Sequence, residues 1–316
     1  MASTGPAELH TTSGRWQLGV ALSLGAVFMW GLLPIALSGL LEHMSAMTIT
    51  WFRFALAGAA LAIPVARSRG LAPVFGNRRA VVGLLALATA ALVANYIFYA
   101  FSLHFVPPSG AQVLIQLAPM CLLLGSLLVF HERLVAVQVV GLAVLVTGLV
   151  LFFHSDLPAL RTGGSPLLPG ILLLFGAAVT WGIYALAQKQ LLNTLTSPSI
   201  MVVIYVASSV VLLPFARPGQ VTALDDPGLG LLVFLGFNTL AAYGCFSEAL
   251  EHLEASRVSV VLSLTPLVTI AAVTVGSRIL PTLISREQLD PLSLLGAALV
   301  VAGSMMGALG RRPRQA

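Results

Sequence analysis

Two pairs of polar side chains recur at one spacing inside apolar runs. Gln112 and Gln116 lie four residues apart, and Ser259 and Ser263 repeat that spacing 147 residues later. Positions four apart share one helix face, so each pair predicts a polar stripe on an apolar helix. An amide in hydrocarbon loses its hydrogen bonds, so the stripes must face protein or water. There they can bind a polar solute, or they can form interhelical hydrogen bonds that only pack the bundle.

A proline follows each stripe at the same distance. Pro119 comes three residues after Gln116, and Pro266 comes three residues after Ser263. A proline inside a helix removes a backbone hydrogen bond and kinks the helix. A duplicated, kinked helix with a polar stripe predicts the lining of a pathway between two halves, with both prolines in a gating or coupling role.

Aromatic residues are further candidates for lining this pathway. Tyr96, Tyr99 and Tyr243 lie well inside their spans, where an interfacial belt of Trp and Tyr explains them poorly. Apolar packing is the rival interpretation. Together with the polar stripes, the candidate substrate-binding residues are Trp30, Asn95, Tyr96, Tyr99, Gln112, Gln116, Trp181, Tyr184, Tyr243, Ser259 and Ser263.

Few ionisable residues lie deep in an apolar run. Arg53 can snorkel outward or pair with Glu42, and we favour a structural or gating ion pair over substrate contact. Glu248 and His252 share a face where the eighth span ends. A partly desolvated Glu248 would exchange a proton as a coupling group, whereas the plainer interpretation is a span-end charge that reaches water. The scarcity of deep charge favours neutral or zwitterionic solutes.

The composition indicates a polytopic helical membrane protein. The chain has 316 residues, of which 58% are hydrophobic and 9% are charged, whereas a soluble domain has roughly 25% charged residues. Apolar runs of about 20 residues recur along the whole chain. Ten spans are expected, at 17–39, 46–66, 80–103, 109–130, 134–153, 168–189, 198–216, 228–250, 257–278 and 291–309. We number them 1 to 10.

The distribution of Lys and Arg predicts the orientation of the chain. Eleven of them lie in the tails and loops on the N-terminal side of the spans, four lie on the other side, and Arg53 lies inside span 2. The positive-inside rule places both termini in the cytoplasm, with short tails at 1–16 and 310–316. We expect a multi-pass protein of the plasma membrane, in bacteria the inner membrane. The net charge of +5 is explained by this topology, so no nucleic acid partner is expected.

The second half of the chain repeats the first. Trp30 matches Trp181 at an offset of 151, and Tyr96 matches Tyr243 at an offset of 147. Each half has five spans, an odd number, so the second half enters the membrane from the opposite side. We therefore expect two inverted repeats as domains, at 17–153 and 168–309, which is the architecture of many secondary transporters.

These motifs, in this order, resemble the EamA family of the drug/metabolite transporter superfamily. The resemblance rests on Trp30-Gly31, Phe52-Arg53, Pro119, Glu132, Gly141 and Gly148, and on Trp181-Gly182, Pro266, Glu287, Gly296 and Gly303. It implies ten helices around a central cavity, and small organic solutes, including amino acids and drugs, that are often exported. Many relatives carry a lysine late in span 1, where this chain has Leu32 to Ser38. That departure argues against a specifically anionic substrate such as a sugar phosphate.

The predicted function is secondary transport of small organic solutes across the plasma membrane, as an exporter of amino acids or related metabolites by alternating access. The alternatives are a membrane-embedded enzyme and a non-transporting receptor or assembly protein. No phosphate loop or metal-ligand cluster is found in the sequence, so no cofactor, metal or catalytic residue is expected. The expected partners are the solute and the lipid bilayer. Gly303 and Gly307 allow close helix packing, and they also offer a homodimer face on an otherwise monomeric protein.

Overall fold

Helices provide all the regular secondary structure in the described part of the chain. The computed structural model describes residues 15–67, 79–130, 135–253, 255–281 and 283–309. Eight spans are single helices: Trp16–Leu41, Ala46–Arg67, Arg79–Ser102, Ala136–Phe152, Leu168–Leu191, Ser197–Leu212, Asp226–His252 and Pro291–Leu309. Spans 4 and 9 are each built from two helices, Pro108–Leu114 with Leu117–Phe130, and Ala255–Leu262 with Thr265–Ile279. The short helix Leu157–Arg161 lies between the two halves of the chain.

These helices confirm the fold class predicted from the sequence, an all-helical polytopic membrane protein. Among the described residues, nine stretches are long and apolar enough to cross a membrane, and Ala136–Phe152 is a shorter apolar helix. The observed ends lie within a few residues of the predicted ones. Most of the two proposed tails lies outside the described residues.

The prolines of spans 4 and 9 interrupt both helices, as their positions predict. The interruption falls at residues 115–116 in span 4 and at residues 263–264 in span 9. Pro119 has no N–H to bond the carbonyl of Ile115, and the N–H of Ala118 bonds that carbonyl instead at 2.8 Å. In span 9 the side chain of Thr265 donates to the carbonyl of Leu262, four residues before Pro266. Each break frees backbone polar groups that need new partners.

The packing of the spans follows an approximate two-fold relation between the halves. Span 1 packs on span 8, and its repeat counterpart, span 6, packs on span 3. Span 2 packs on its own counterpart, span 7, and span 5 packs on span 10. Contacts of this kind are expected from inverted repeats related by an axis in the membrane plane. We call this relation the pseudo-two-fold axis.

Residues that occupy matching repeat positions touch each other along this axis. The rings of Phe54 and Tyr205, 151 residues apart, have centroids 5.9 Å apart. The side chains of Tyr96 and Tyr243, 147 residues apart, interact with each other. The side-chain amide of Gln116 donates to the carbonyl of Ser263, also 147 residues away, at 3.0 Å. The duplicated positions therefore meet at the interface between the halves.

Spans 5 and 10 are joined by a seam of glycines. A Cβ placed on Gly303 would lie 2.5 Å from the backbone N of Leu145 and 2.6 Å from the carbonyl O of Gly141. A Cβ on Gly307 would collide with the end of Met120. Because span 5 and Met120 of the same chain occupy this glycine face, the face is not open to a second copy. Gly303 and Gly307 therefore serve close packing within the chain.

Candidate solute site at the pseudo-two-fold axis

Arg53 is a buried cation between spans 2, 3 and 8. Its side chain is 3% exposed. Nε donates to Thr239 Oγ1 at 3.1 Å, and the guanidinium carbon lies 4.4 Å from the centre of the Tyr96 ring. The expected partner Glu42 is exposed at the end of span 1, and no described carboxylate lies within ion-pair distance of Arg53. Arg53 therefore neither pairs with Glu42 nor extends outward to water, as the sequence had suggested. It contacts the hydroxyl of Thr239 and the ring face of Tyr96 instead.

An aromatic cluster extends away from the Tyr96 ring that Arg53 contacts. Phe54 lies 4.5 Å from Tyr96 between ring centroids, and Tyr205 belongs to the same buried cluster. Tyr243 joins the cluster from span 8 and packs edge-on against Trp30 at 5.5 Å. Rings from spans 1, 2, 3, 7 and 8 thus form one cluster, and the face of the Tyr96 ring offsets part of the cost of desolvating the cation.

Three of the four residues of the polar stripes, Gln112, Gln116 and Ser263, are buried and form side-chain hydrogen bonds. Tyr99 donates its hydroxyl proton to Gln112 Oε1 at 2.9 Å, which links span 3 to span 4. Gln116 donates to the carbonyl of Ser263, which the break in span 9 has freed. The hydroxyl of Ser263 bonds the carbonyl of Ser259 at 2.9 Å and lies 3.2 Å from Ser304 Oγ. The stripes therefore face the protein interior and join the halves.

Other candidates lie around this core. Tyr184 is 2% exposed and donates to Met201 Sδ at 3.1 Å, and Trp181 packs against the same aromatic cluster. Asn95 donates to the carbonyl of Ala177 at 2.8 Å, so its amide joins span 3 to span 6. Ser259 contributes a half-buried side chain and an accepting carbonyl. In this conformation the side chains of Asn95 and Tyr184 thus form hydrogen bonds with neighbouring helices.

The carboxylate of Glu248 is not desolvated, although the coupling role suggested for it required partial desolvation. Its side chain is 53% exposed and lies 3.4 Å from His252 Nε2, one turn along the same helix. The expected contact between these two residues is present, but the expected desolvation of the carboxylate is not. The structure therefore favours the plainer interpretation, a span-end charge that reaches the surface.

Three polar residues of the site were missed by the sequence analysis. Thr239 binds Arg53, and its neighbour Asn238 donates to the carbonyl of Met29 in span 1. Tyr205 is 1% exposed and occupies the repeat position of Phe54. Asn238 and Thr239 could have been found as polar residues inside an apolar run, although they are consecutive and do not share one helix face as the glutamines do. Tyr205 could have been found because it occupies the repeat position of Phe54, the residue next to Arg53.

A second contact ties the start of span 4 to the loop before span 10. Glu287 Oε1 accepts from the backbone N–H of Ser109 at 3.2 Å, and Glu287 Oε2 is buried without a hydrogen-bond partner among the described residues. Burial raises the pKa of the Glu287 carboxyl above its ordinary value, and the hydrogen bonds with Ser109 oppose that shift. The repeat counterpart of Glu287 is Glu132, which lies outside the described residues.

Ten spans in two inverted repeats, with broken helices and a polar core between the halves, form an architecture that is common among membrane transporters. The chain belongs to the EamA-like transporter family, whose model matches residues 17–154 and 168–308. It is 38% identical to the uncharacterized inner membrane transporter YhbE of Escherichia coli K12, over 93% of this chain and 92% of that protein.

Two further similarities bear on fold and function. The chain is 25% identical to a "probable amino-acid metabolite efflux pump" of Escherichia coli K12, over 93% of this chain and 96% of that protein. A solved crystal structure superposes with a TM-score of 0.63 at 19% identity, covering 93% of this chain and 99% of that one. That structural likeness shows the fold alone. The protein is a membrane transporter.

Proposed function

We propose that the protein is a secondary exporter of small organic solutes, with amino acids or related metabolites as its substrates. It works by alternating access in the bacterial inner membrane, with both termini in the cytoplasm. The two repeats, at 17–153 and 168–309, are its moving halves. The similarity to an efflux pump for amino-acid metabolites supports the direction and the substrate class. The Lys and Arg distribution supports the orientation.

The observation that carries this proposal is the bond between Gln116 and the carbonyl of Ser263. Both residues sit at the breaks of spans 4 and 9, where the backbone is free to hinge. The bond crosses the interface between the halves, and buried hydrophobic side chains from both halves fill the rest of that interface. When the halves separate, a solute's polar groups replace this bond, so that neither the amide nor the carbonyl is left unsatisfied.

The test is substrate counterflow in proteoliposomes loaded with a mixture of amino acids. Gln116→Leu is expected to abolish flux while the protein still folds, because leucine is tolerated in a packed helix interface. Gln190→Leu is the matched control, since Gln190 is exposed near the end of span 6 and outside the site. Wild-type flux in Gln116→Leu would reassign the stripe to helix packing. Absence of counterflow in the wild-type protein with every amino acid would contradict the substrate class.

A further inference from the structure

Arg53 breaks the symmetry of the interface between the halves. Its repeat counterpart is Ile204, which is fully buried in span 7 and packs in the same aromatic cluster. The surroundings of the two positions are built from matching aromatic residues, but only one position carries a charge. A packing role requires no cation there, because Ile204 fills the equivalent place with an apolar side chain.

The guanidinium of Arg53 has more donors than partners. Of its five N–H groups, only that of Nε has a hydrogen-bond acceptor among the described residues. A buried charge is costly unless it is paired and hydrogen-bonded. The Tyr96 ring face offsets part of this cost, but a ring accepts no in-plane hydrogen bond. The remaining N–H groups are therefore available to a ligand.

A second unpartnered group lies in the same cluster. Tyr205 is 1% exposed, and its hydroxyl has no hydrogen-bond partner in the described part of the chain. Its ring packs on Phe54, the residue next to Arg53 in span 2, with centroids 5.9 Å apart. A planar pair of N–H donors binds both oxygens of a carboxylate, and the hydroxyl of Tyr205 in the same aromatic cluster offers a further donor.

We propose that Arg53 and Tyr205 bind the carboxylate of the transported solute, and that its apolar body lies against the rings of Trp30, Tyr243 and Phe246. This rests on the proposed function and narrows its substrate class to solutes with a carboxylate and an apolar or aromatic body, which includes zwitterionic amino acids with such side chains. Trp30 packs on Tyr243 and Phe246 at 5.5 and 5.8 Å, and Tyr243 in turn interacts with Tyr96, the residue whose ring holds the guanidinium. The solute enters this place when the halves separate.

The test measures binding of three probes that share a body and differ in charge: phenylacetate, phenylacetamide and phenethylamine. The indole series of the same three groups is run in parallel. Ligand-induced stabilisation is followed by thermal unfolding of the full-length protein in phosphatidylcholine nanodiscs, which contain no anionic headgroup. Only the carboxylates are expected to raise the unfolding temperature of the wild-type protein. Equal stabilisation by the amides, or none by any carboxylate, overturns the proposal.

Arg53→Met separates ligand binding from packing. It removes the charge but keeps an unbranched side chain of similar length, so the affinity for the carboxylates is expected to fall roughly 10- to 100-fold. Without a probe, this variant is expected to unfold at or above the wild-type temperature, because an uncompensated buried charge has been removed. Arg161→Met, at an exposed arginine, is the matched control and leaves both quantities unchanged. An Arg53→Met protein that unfolds well below wild type without a probe shows a packing role and overturns the proposal.

The same probes distinguish this inference from the proposed function. If carboxylates bind in an Arg53-dependent way but no solute shows counterflow, the binding site is supported and the exporter function is contradicted. If counterflow of amino acids is unchanged in Arg53→Met, the exporter function is supported and the carboxylate site is contradicted. Tyr205→Phe deletes only one hydroxyl, and it is expected to weaken carboxylate binding about tenfold without affecting the amides.

Discussion

A Gly→Ala substitution is expected to lower the free energy of unfolding in the glycine seam between spans 5 and 10, but not at a glycine with open space around it. In Gly303→Ala the new methyl group would lie 2.5 Å from the N of Leu145 and 2.6 Å from the O of Gly141. Favourable contacts of carbon with other heavy atoms lie near 3.5–4.0 Å, so the helices must separate by about 1 Å. The atoms that the methyl group meets belong to the backbone and move only with their helix, so the cost of overpacking should fall in the upper part of its usual range, at about 2–3 kcal/mol. Alanine's better helix propensity returns only about 1 kcal/mol, which leaves a net loss of about 1–2 kcal/mol.

The matched control is Gly83→Ala in span 3, where a Cβ meets nothing within 4 Å. That substitution is expected to leave the free energy of unfolding unchanged or to raise it by roughly 0.5–1 kcal/mol. Unfolding of both purified variants is followed by titration from mild detergent into sodium dodecyl sulfate. If Gly303→Ala unfolds at the wild-type midpoint, spans 5 and 10 do not pack backbone to backbone, and the packing described here is wrong.

Three further predictions concern the loops. Glu287→Gln keeps an acceptor for the N–H of Ser109 and removes the ionisable group. Burial raises the pKa of the native carboxyl above its ordinary value of 4.5, so the folded state is destabilised as this buried group ionises with rising pH. The wild-type unfolding temperature should therefore fall as pH rises above 4.5, and that of the variant should not. Asp290→Ala removes the cap on the N–H of Ser293, so its unfolding temperature should drop at neutral pH, and an unchanged value would show that the cap is dispensable. Thr162→Cys, in a background lacking both native cysteines, should react with an impermeant thiol reagent added to intact cells, and reaction only in inverted vesicles would reverse the topology.

Much of the fold was predictable because its signals are local. The ends of the spans follow from apolar runs of membrane thickness. The breaks in spans 4 and 9 follow from a proline that cannot donate, and they appear just before Pro119 and Pro266. The contact of Tyr96 with Tyr243 was implicit in their matching positions, because residues near a two-fold axis meet their own counterparts.

The partners of the charged residues could not be predicted from local signals. Arg53 was expected near Glu42, which is close in sequence, but the fold places Thr239 of the other half beside it. Glu248 was expected to be desolvated because the apolar run continues past it, although its side chain points to the surface. The sequence left open whether Gly303 packs against another helix of the same chain or against a second copy. Its contact with span 5 joins distant parts of the chain, so it could not be predicted from local signals.

Alternating access requires that the helix breaks at the pseudo-two-fold axis open in turn to both sides of the membrane, which thiol labelling can measure directly. Ser263→Cys is a nearly isosteric change at a residue that is 3% exposed, in a protein lacking Cys121 and Cys245. An impermeant thiol reagent is expected to modify this cysteine both from outside intact cells and from the cytoplasmic face of inverted vesicles. Ala88→Cys, fully buried in span 3, should stay unmodified from either side. No modification of Ser263→Cys from one or both sides would contradict alternating access through this interface.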